Sequence, residues 1–235
     1  MAVFNYNNYM EINERRVHQQ IRNFEKALNG YNHDEPLSRY LTRFFKENKQ
    51  MGSSDRRMTS RFCYNYFRLG NSLNNHNILD RLAFAEYLCE ENSPLVHVLK
   101  PELADSLQNE LSDKINTLTA TYGFNIKDVF PLVDHISTEV AIDDFLKSHF
   151  VQPDLFIRIK RGKEKLVHSI FKDHDIPFTI ISTQTLALPN GTNLQKVANL
   201  EGMYEVQDLS SQKTIDYINA AEKQSWWDAC AASGV

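Results

Sequence analysis

The chain has 235 residues, of which 42% are hydrophobic and 24% are charged, and its formal net charge is −4 at pH 7. These proportions are ordinary for a soluble globular protein with a full core, and the low numbers of glycine and proline favour long regular elements. No apolar run approaches the roughly 20 residues that cross a bilayer, and the polar N-terminus is no signal peptide. Three widely spaced cysteines predict neither a disulfide framework nor a metal site, so we expect a cytoplasmic protein.

The first 150 residues predict an all-helical domain. Apolar residues recur there at the spacing of one helix face. Pro94 and Pro101 bracket a predicted turn, and Pro101 fits the first turn of a helix. The predicted helices cover residues 11–29, 36–52, 53–69, 78–91 and 101–121, with shorter pieces over 124–133 and 140–149.

The pattern changes at Gln152–Pro153, where β-branched and aromatic residues begin to alternate with polar ones. The turn signal Pro189-Asn190-Gly191 predicts a hairpin that joins residues 186–188 to residues 194–197. Several strands with one or two helices suggest a small α+β domain. The other predicted strands are residues 155–159, 178–181 and 203–206, and the predicted helices are residues 163–174 and a segment from 207 to 221.

Charge is unevenly distributed along the chain. Residues 36–70 contain eight basic and two acidic side chains, whereas residues 80–144 contain four basic and thirteen acidic ones. Residues 154–172 are basic again, with six cations and two carboxylates. The total of −4 argues against a nucleic-acid binder, but this asymmetry creates local fields that the total conceals.

One face of the predicted third helix is basic, because Arg57, Arg61, Tyr64 and Arg68 recur at helical spacing. Such a stripe suits a phosphate backbone with an occasional stacked base. A solvated face, or pairing of the arginines with the acidic 80–144 segment, explains the pattern equally well. Both interpretations stay open.

A second group of cations follows the strand predicted at residues 155–159. Charge and stacking are what RNA-binding modules use to hold single strands. The alternative is an edge strand whose cations prevent pairing with another chain. The group consists of Arg158, Lys160, Arg161, Lys163 and Lys165.

Two elements near the C-terminus form the most specific pattern in the chain. The first is V-Q-D-x-x-S-Q, made by Val206, Gln207, Asp208, Ser211 and Gln212. The second is D-A-C-A-A-S-G at residues 228–234, where a predicted strand opens into a turn of small residues that suits a cofactor. Together they resemble the Nol1/Nop2/Sun family of RNA (cytosine-5) methyltransferases, which use S-adenosylmethionine, although Ser233 replaces the proline that most members have.

The resemblance implies an α+β architecture in three parts. Residues 1–150 would be a NusB-like helical domain, and residues 151–222 a small RRM-like or ferredoxin-like module. Residues 223–235 would be the first strand and loop of a truncated Rossmann-like domain. In the module, Pro153 and Arg158 match the family segment P-P-x-x-L-R-V-N, whereas Lys160 replaces its asparagine.

The resemblance also implies the roles of particular residues. Gln212 would lie beside the cofactor and substrate cleft. Cytosine-5 methylation needs a thiolate, but Cys230 belongs to the cofactor loop rather than to the catalytic pair, and Cys63 and Cys89 are expected to be buried. The residues expected to hold S-adenosylmethionine are Cys230, Ala231, Ala232, Ser233 and Gly234.

The implied function is that of the RNA-binding N-terminal part of an rRNA or tRNA cytosine-5 methyltransferase. The family's catalytic cysteines lie beyond Val235, so we expect this chain alone to bind RNA weakly and to transfer no methyl group. A non-catalytic NusB-like protein of the antitermination type is the alternative, and a protein-interaction scaffold is a third possibility. We expect a monomer without a metal or a membrane partner.

Overall fold

The structure, a computed structural model, describes residues 12–217 together with residues 225 and 227. It confirms a mixed α+β protein. The chain divides into two compact units, with the boundary between Val151 and Gln152. We call them the helical unit (described from residue 12 to residue 151) and the sheet unit (described from residue 152 to residue 217). No helix in these ranges is long and apolar enough to cross a membrane.

The helical unit consists of eight α-helices among its described residues, together with two short 3₁₀ turns at Ile126–Val129 and Val133–His135. Asn13 and Asn77 cap α1 and α4, since the side chain of each accepts a hydrogen bond from a backbone N–H of the first turn. The helices are α1 Glu14–Asn29, α2 Leu37–Glu47, α3 Ser53–Arg68, α4 Ile78–Cys89, α5 Pro94–Leu99, α6 Pro101–Ala104, α7 Leu111–Tyr122 and α8 Ile142–Ser148.

The helix predicted over residues 101–121 is wrong as one element, because α6 ends at Ala104 and α7 begins at Leu111. The Ser106 hydroxyl donates to the carbonyl oxygen of Leu103 at 3.0 Å and lies 2.8 Å from the Tyr87 hydroxyl. Such a side-chain bond to a nearby carbonyl competes with helix continuation. Residues 94–99, predicted as a turn, form α5 instead, since proline fits the first helical turn.

The core of the helical unit is organised around α4, whose residues 82–88 are all buried. One hydrophobic cluster joins Leu82 and Ala83 to residues of α1, α2 and α3. A second cluster joins Phe84 and Tyr87 to residues of α5, α6 and α7. Apolar residues on several sides of one helix have to be enclosed, and α4 is therefore packed on both sides.

Gly70 follows α3 and makes a turn that only glycine can make without strain. Its φ is +53°, and a side chain at this position would collide with the carbonyl group of Val129. The carbonyl oxygen of Gly70 accepts a hydrogen bond from Nη2 of Arg81 at 2.8 Å. The close approach of Gly70 to Val129 fastens the end of α3 to the 3₁₀ turn Ile126–Val129.

The sheet unit contains one four-stranded antiparallel sheet, formed by β1 Leu155–Ile159, β2 Thr179–Ile180, β3 Thr185–Leu188 and β4 Tyr204–Val206. The strand order is β2-β3-β1-β4. Helix α9 Glu164–Asp173 connects β1 to β2, and the short α10 Leu209–Lys213 follows β4. The strands β1 and β2 therefore run in the same direction with β3 between them.

The hairpin predicted around Pro189-Asn190-Gly191 is wrong. The turn itself forms, since the Thr192 N–H donates to the carbonyl oxygen of Pro189 at 3.2 Å. The chain then enters a 3₁₀ turn at Leu194–Lys196 rather than a strand, and β3 pairs with β1 and β2. Leu194 and Val197 are three residues apart, which suits one helical turn packed on the core better than an alternating strand.

Alternation along β1 separates the two faces of the sheet. Ile157 and Ile159 are buried and pack with Val167 and Phe171 of α9. Arg158 points to the other face and is exposed. The sheet thus places a cation of β1 on the face that α9 does not cover.

Candidate nucleic-acid interface

Helix α3 presents two of its four predicted contact residues to solvent. Arg57 is exposed, and Tyr64 two turns later is 43% exposed. Helix α1 brings a further cation to the same end of α3, because Nη2 of Arg16 donates to Oγ of Ser54 at 2.7 Å. We call Arg16, Arg57 and Tyr64 the α1–α3 basic surface.

The helical spacing of α3 alone does not point to Arg16. The signal was present, because Arg16 adjoins the buried Val17 at the edge of the apolar stripe of α1. A cation in that position flanks whichever helix covers the stripe. Only the three-dimensional structure shows that α3 is the helix that packs beside Arg16.

Arg61 turns toward α4 rather than outward. Its guanidinium makes two hydrogen bonds to the Glu86 carboxylate, one of them from Nε at 3.2 Å, and its Nη1 lies 3.5 Å from Oε2 of Glu90. Burial lowers the pKa of Arg61, but its neighbours, above all the Glu86 carboxylate and then that of Glu90, together more than offset this, so the pKa is raised. For Arg61 the structure therefore shows the alternative, pairing with the acidic segment.

Glu86 is the centre of a buried polar network. Its side chain has no exposed surface, and besides Arg61 it accepts hydrogen bonds from Nδ2 of Asn65 at 2.8 Å and Oγ of Ser93 at 2.7 Å. Burial raises the pKa of the neighbouring Glu90, and the charges of Arg61 and Arg68 oppose that rise. Arg68 is half-buried beside this network. The arginines nearest to α4 thus help to hold α3 on α4.

The second predicted group of cations lies together at the turn between β1 and α9. Gly162 makes the turn with a φ of +83°, and its N–H donates to Oε1 of Glu164 at 3.1 Å. All members of the group are exposed, so the turn and the ends of the two elements that flank it carry positive charge at the surface. The group, which we call the β1–α9 cations, is Arg158, Lys160, Arg161, Lys163 and Lys165.

One carboxylate faces the β1–α9 cations from β4. Glu205 stands opposite Arg158 in the antiparallel register, and its Oε1 lies 3.2 Å from Nζ of Lys160. Both side chains of the Lys160 pair are partly exposed, so the pair adds little stability. Its consequence is electrostatic, because Glu205 cancels part of the charge of Lys160.

Gln212 anchors α10 to the sheet. Its Oε1 accepts a hydrogen bond from Oγ1 of Thr185 on β3 at 2.7 Å, and its Nε2 donates to the carbonyl oxygen of Gln207 at 2.8 Å. Asp208 occupies the N-cap position of α10, but its side chain makes no capping hydrogen bond. The role of Gln212 beside a cofactor cleft stays a prediction.

The five predicted cofactor residues, Cys230 to Gly234, lie outside the described residues, as does Asp228. Their assignment therefore rests on the sequence motif. Within the described ranges, no group of three or more His, Cys, Asp or Glu side chains is arranged to hold a metal ion.

The two cysteines of the helical unit are shielded from solvent. Cys63 is buried and Cys89 is half-buried, and burial raises the pKa of each thiol to about 12. Because the thiolate is the reactive form, both should be inert at neutral pH.

We therefore expect that in a Cys230→Ser variant neither Cys63 nor Cys89 reacts with Ellman's reagent at pH 8. At that pH a thiol with a pKa of about 12 is thiolate in roughly one molecule in ten thousand. In denaturant both thiols should react within the dead time of the same assay. Fast reaction of one thiol in the folded protein would contradict the buried positions.

Comparison with known proteins adds no relative, since no protein-family model and no curated protein matches the chain. The fold and its exposed cations define a two-unit α+β protein with one basic surface on each unit.

Proposed function

We propose that the chain is the RNA-binding N-terminal part of an S-adenosylmethionine-dependent rRNA or tRNA cytosine-5 methyltransferase of the Nol1/Nop2/Sun type. The two C-terminal sequence elements support the choice of family. Exposed cations on each unit support RNA as the partner. The observation that carries the proposal is the group of exposed β1–α9 cations around the end of the first strand of a small antiparallel sheet.

The topology of the sheet unit supports an RRM-like or ferredoxin-like module. In such modules a helix joins two parallel strands that are separated by a third, and the four-stranded sheet offers one open face to RNA. The sheet unit has this order, with α9 in the place of the first helix. It departs from the pattern between β3 and β4, where the described chain has the 3₁₀ turn Leu194–Lys196 in place of a second helix.

The distribution of charge in the helical unit supports RNA binding by a NusB-like domain. Between residues 12 and 70, where α1, α2 and α3 lie, cations outnumber carboxylates by twelve to six. Between residues 71 and 151, carboxylates outnumber cations by thirteen to five. RNA phosphates are therefore attracted to the side of α1, α2 and α3.

The proposed contribution of these surfaces is positioning. Arginine and lysine contacts to phosphates fix the register of a nucleic acid without reading its bases. In the intact enzyme S-adenosylmethionine supplies the methyl group, and the residues proposed to hold it are Cys230 to Gly234. The described residues would grip the RNA while the target cytosine is presented to the catalytic domain.

Binding of a structured rRNA fragment to the full chain, measured at several salt concentrations, tests this proposal. We expect Arg57→Ala to weaken binding and to reduce the slope of log affinity against log salt by about 0.7–0.9, the value for one lost phosphate contact. Because Arg57 is exposed, its removal should change the free energy of unfolding by less than about 0.5 kcal/mol.

Lys127→Ala is the matched control, because Lys127 is also an exposed cation but lies in the acidic half of the helical unit. The Lys127→Ala variant should bind RNA with the same affinity and the same salt dependence as the unaltered chain. A slope near zero for the unaltered chain would remove RNA binding altogether. Equal effects of the two substitutions would remove the α1–α3 basic surface from the interface.

A further inference from the structure

Residues 128–146 of the helical unit present an exposed apolar surface. Leu132 is 55% exposed and Val140 is 40% exposed. In the same segment Phe130 and Phe145 are half-buried and pack edge to face, with ring centroids 5.3 Å apart. We call this region the 128–146 surface.

The 128–146 surface is held to the core at few points. Val129 and Leu146 are its two buried residues, and only Val129 belongs to the second hydrophobic cluster around α4. Pro131 lies between its two 3₁₀ turns, where it supplies no N–H for a longer helix. Leu132 and Val140 are therefore presented outward by irregular parts of this segment rather than enclosed by it.

The charge of the 128–146 surface has one sign. It contains five acidic residues and no lysine or arginine. All five are exposed, and none forms an ion pair with any residue from 12 to 217. The five are Asp128, Asp134, Glu139, Asp143 and Asp144.

The exposed apolar residues and the negative charge together indicate which kind of partner this surface would bind. An exposed apolar patch with a polar rim is typical of a protein-interaction site. Five unpaired carboxylates repel RNA phosphates, and they steer positively charged partners toward the patch. An amphipathic segment can place its apolar side chains on the patch and its basic side chains beside the surrounding carboxylates.

We propose that the 128–146 surface docks a basic amphipathic segment of a partner protein. Leu132, Val140 and the Phe130–Phe145 pair receive its apolar side chains, and the surrounding carboxylates pair with its cations. This contact does not depend on the function proposed for the basic surfaces. It leaves the α1–α3 basic surface free, since the two lie in parts of the helical unit with opposite charge.

The test measures binding of the full chain to a labelled synthetic peptide of leucine and lysine that forms an amphipathic helix. A leucine–glutamate peptide of the same pattern is the comparison. We expect the basic peptide to bind with an affinity that falls as salt rises, and the acidic peptide to bind at least about tenfold more weakly. Backbone amide shifts caused by the basic peptide should fall within residues 128–146.

Two matched pairs of variants locate the site. Asp134→Asn/Glu139→Gln should weaken peptide binding about fivefold or more, whereas Glu110→Gln/Asp113→Asn, which removes the same charge from exposed positions at the start of α7, should not. Leu132→Ser should weaken binding to a similar extent, whereas Ile78→Ser, at a residue that is 43% exposed on α4, should not. Within residues 12–217 the side chains of Asp134 and Glu139 form no hydrogen bond or ion pair, and Leu132 is 55% exposed, so these variants should fold normally.

Three results would overturn the proposal. Equal losses in the two charge variants would mean general attraction of a basic peptide to an acidic protein. Unchanged binding in Leu132→Ser would mean that the apolar patch makes no contact. Displacement of the peptide by a structured RNA that itself shifts residues 128–146 would mean that the surface binds nucleic acid.

Discussion

Replacement of Glu86 by alanine is expected to lower the free energy of unfolding by roughly 3–5 kcal/mol. The carboxylate is fully buried and accepts hydrogen bonds from Arg61, Asn65 and Ser93. Its removal leaves a largely buried guanidinium without its main counter-charge and two polar groups without an acceptor. The effect should appear as a lower urea midpoint with little change in the slope of the transition.

Two comparisons show whether the network is the cause. Glu91→Ala removes an exposed carboxylate from the same region and should cost less than about 0.5 kcal/mol. Arg61→Ala combined with Glu86→Ala should cost much less than the sum of the single changes, because either one breaks the same ion pair. Additive losses, or a loss below about 1 kcal/mol for Glu86→Ala, would show that Glu86 is not the centre of the network.

The Arg61–Glu86 ion pair also affects how an Arg61→Ala variant must be interpreted in an RNA-binding experiment. Because Arg61 is paired with Glu86 and Glu90, its removal should lower stability before it alters any contact to RNA. A loss of affinity in Arg61→Ala is thus informative only beside an unfolding curve. Arg57, which is exposed and outside the network, gives the direct measurement.

Long amphipathic helices were predictable from the sequence. The stripes of α1, α2, α3 and α4 each span several turns, so the 3.6-residue period is unambiguous, and the observed helices lie within or close to the predicted ranges. Over residues 101–121 the apolar spacing continues although the helix does not, because Leu107, which lies within the break, is buried as Leu103 of α6 is. Apolar spacing shows which residues are buried. A turn between two helices can bury residues at the same spacing as one continuous helix does.

The candidate contact residues divide for a similar reason. Arg57, Arg61, Tyr64 and Arg68 fall within one narrow arc of α3, and periodicity cannot say which edge of that arc faces a neighbouring helix. Arg61 lies on the edge nearer to the buried Asn65, and both bind Glu86. That carboxylate is 25 residues away from Arg61 in the chain, so the pairing is long-range information. The β1–α9 cations were easier to predict, because they are close together in the sequence, on both sides of one turn.

Removal of three β1–α9 cations together, in Arg158→Ala/Arg161→Ala/Lys163→Ala, is expected to give the largest loss of RNA affinity. Three lost phosphate contacts should reduce the slope of log affinity against log salt by about 2 for a single-stranded RNA. At low salt this corresponds to a loss of roughly a hundredfold or more. All three side chains are exposed, so the thermal unfolding of the chain should be unchanged.

Lys172→Ala/Lys196→Ala/Lys213→Ala removes the same charge from other exposed positions of the sheet unit, and it should have a small effect without a change of slope. If both triple variants lose affinity equally, the net charge of the unit matters and the β1–α9 turn does not.

Glu205 provides a test in the opposite direction, because its carboxylate lies 3.2 Å from Nζ of Lys160. Glu205→Gln frees that cation and should strengthen RNA binding, whereas Lys160→Ala should weaken it less than Arg158→Ala does. A weaker complex in Glu205→Gln would mean that RNA does not approach this face of the sheet.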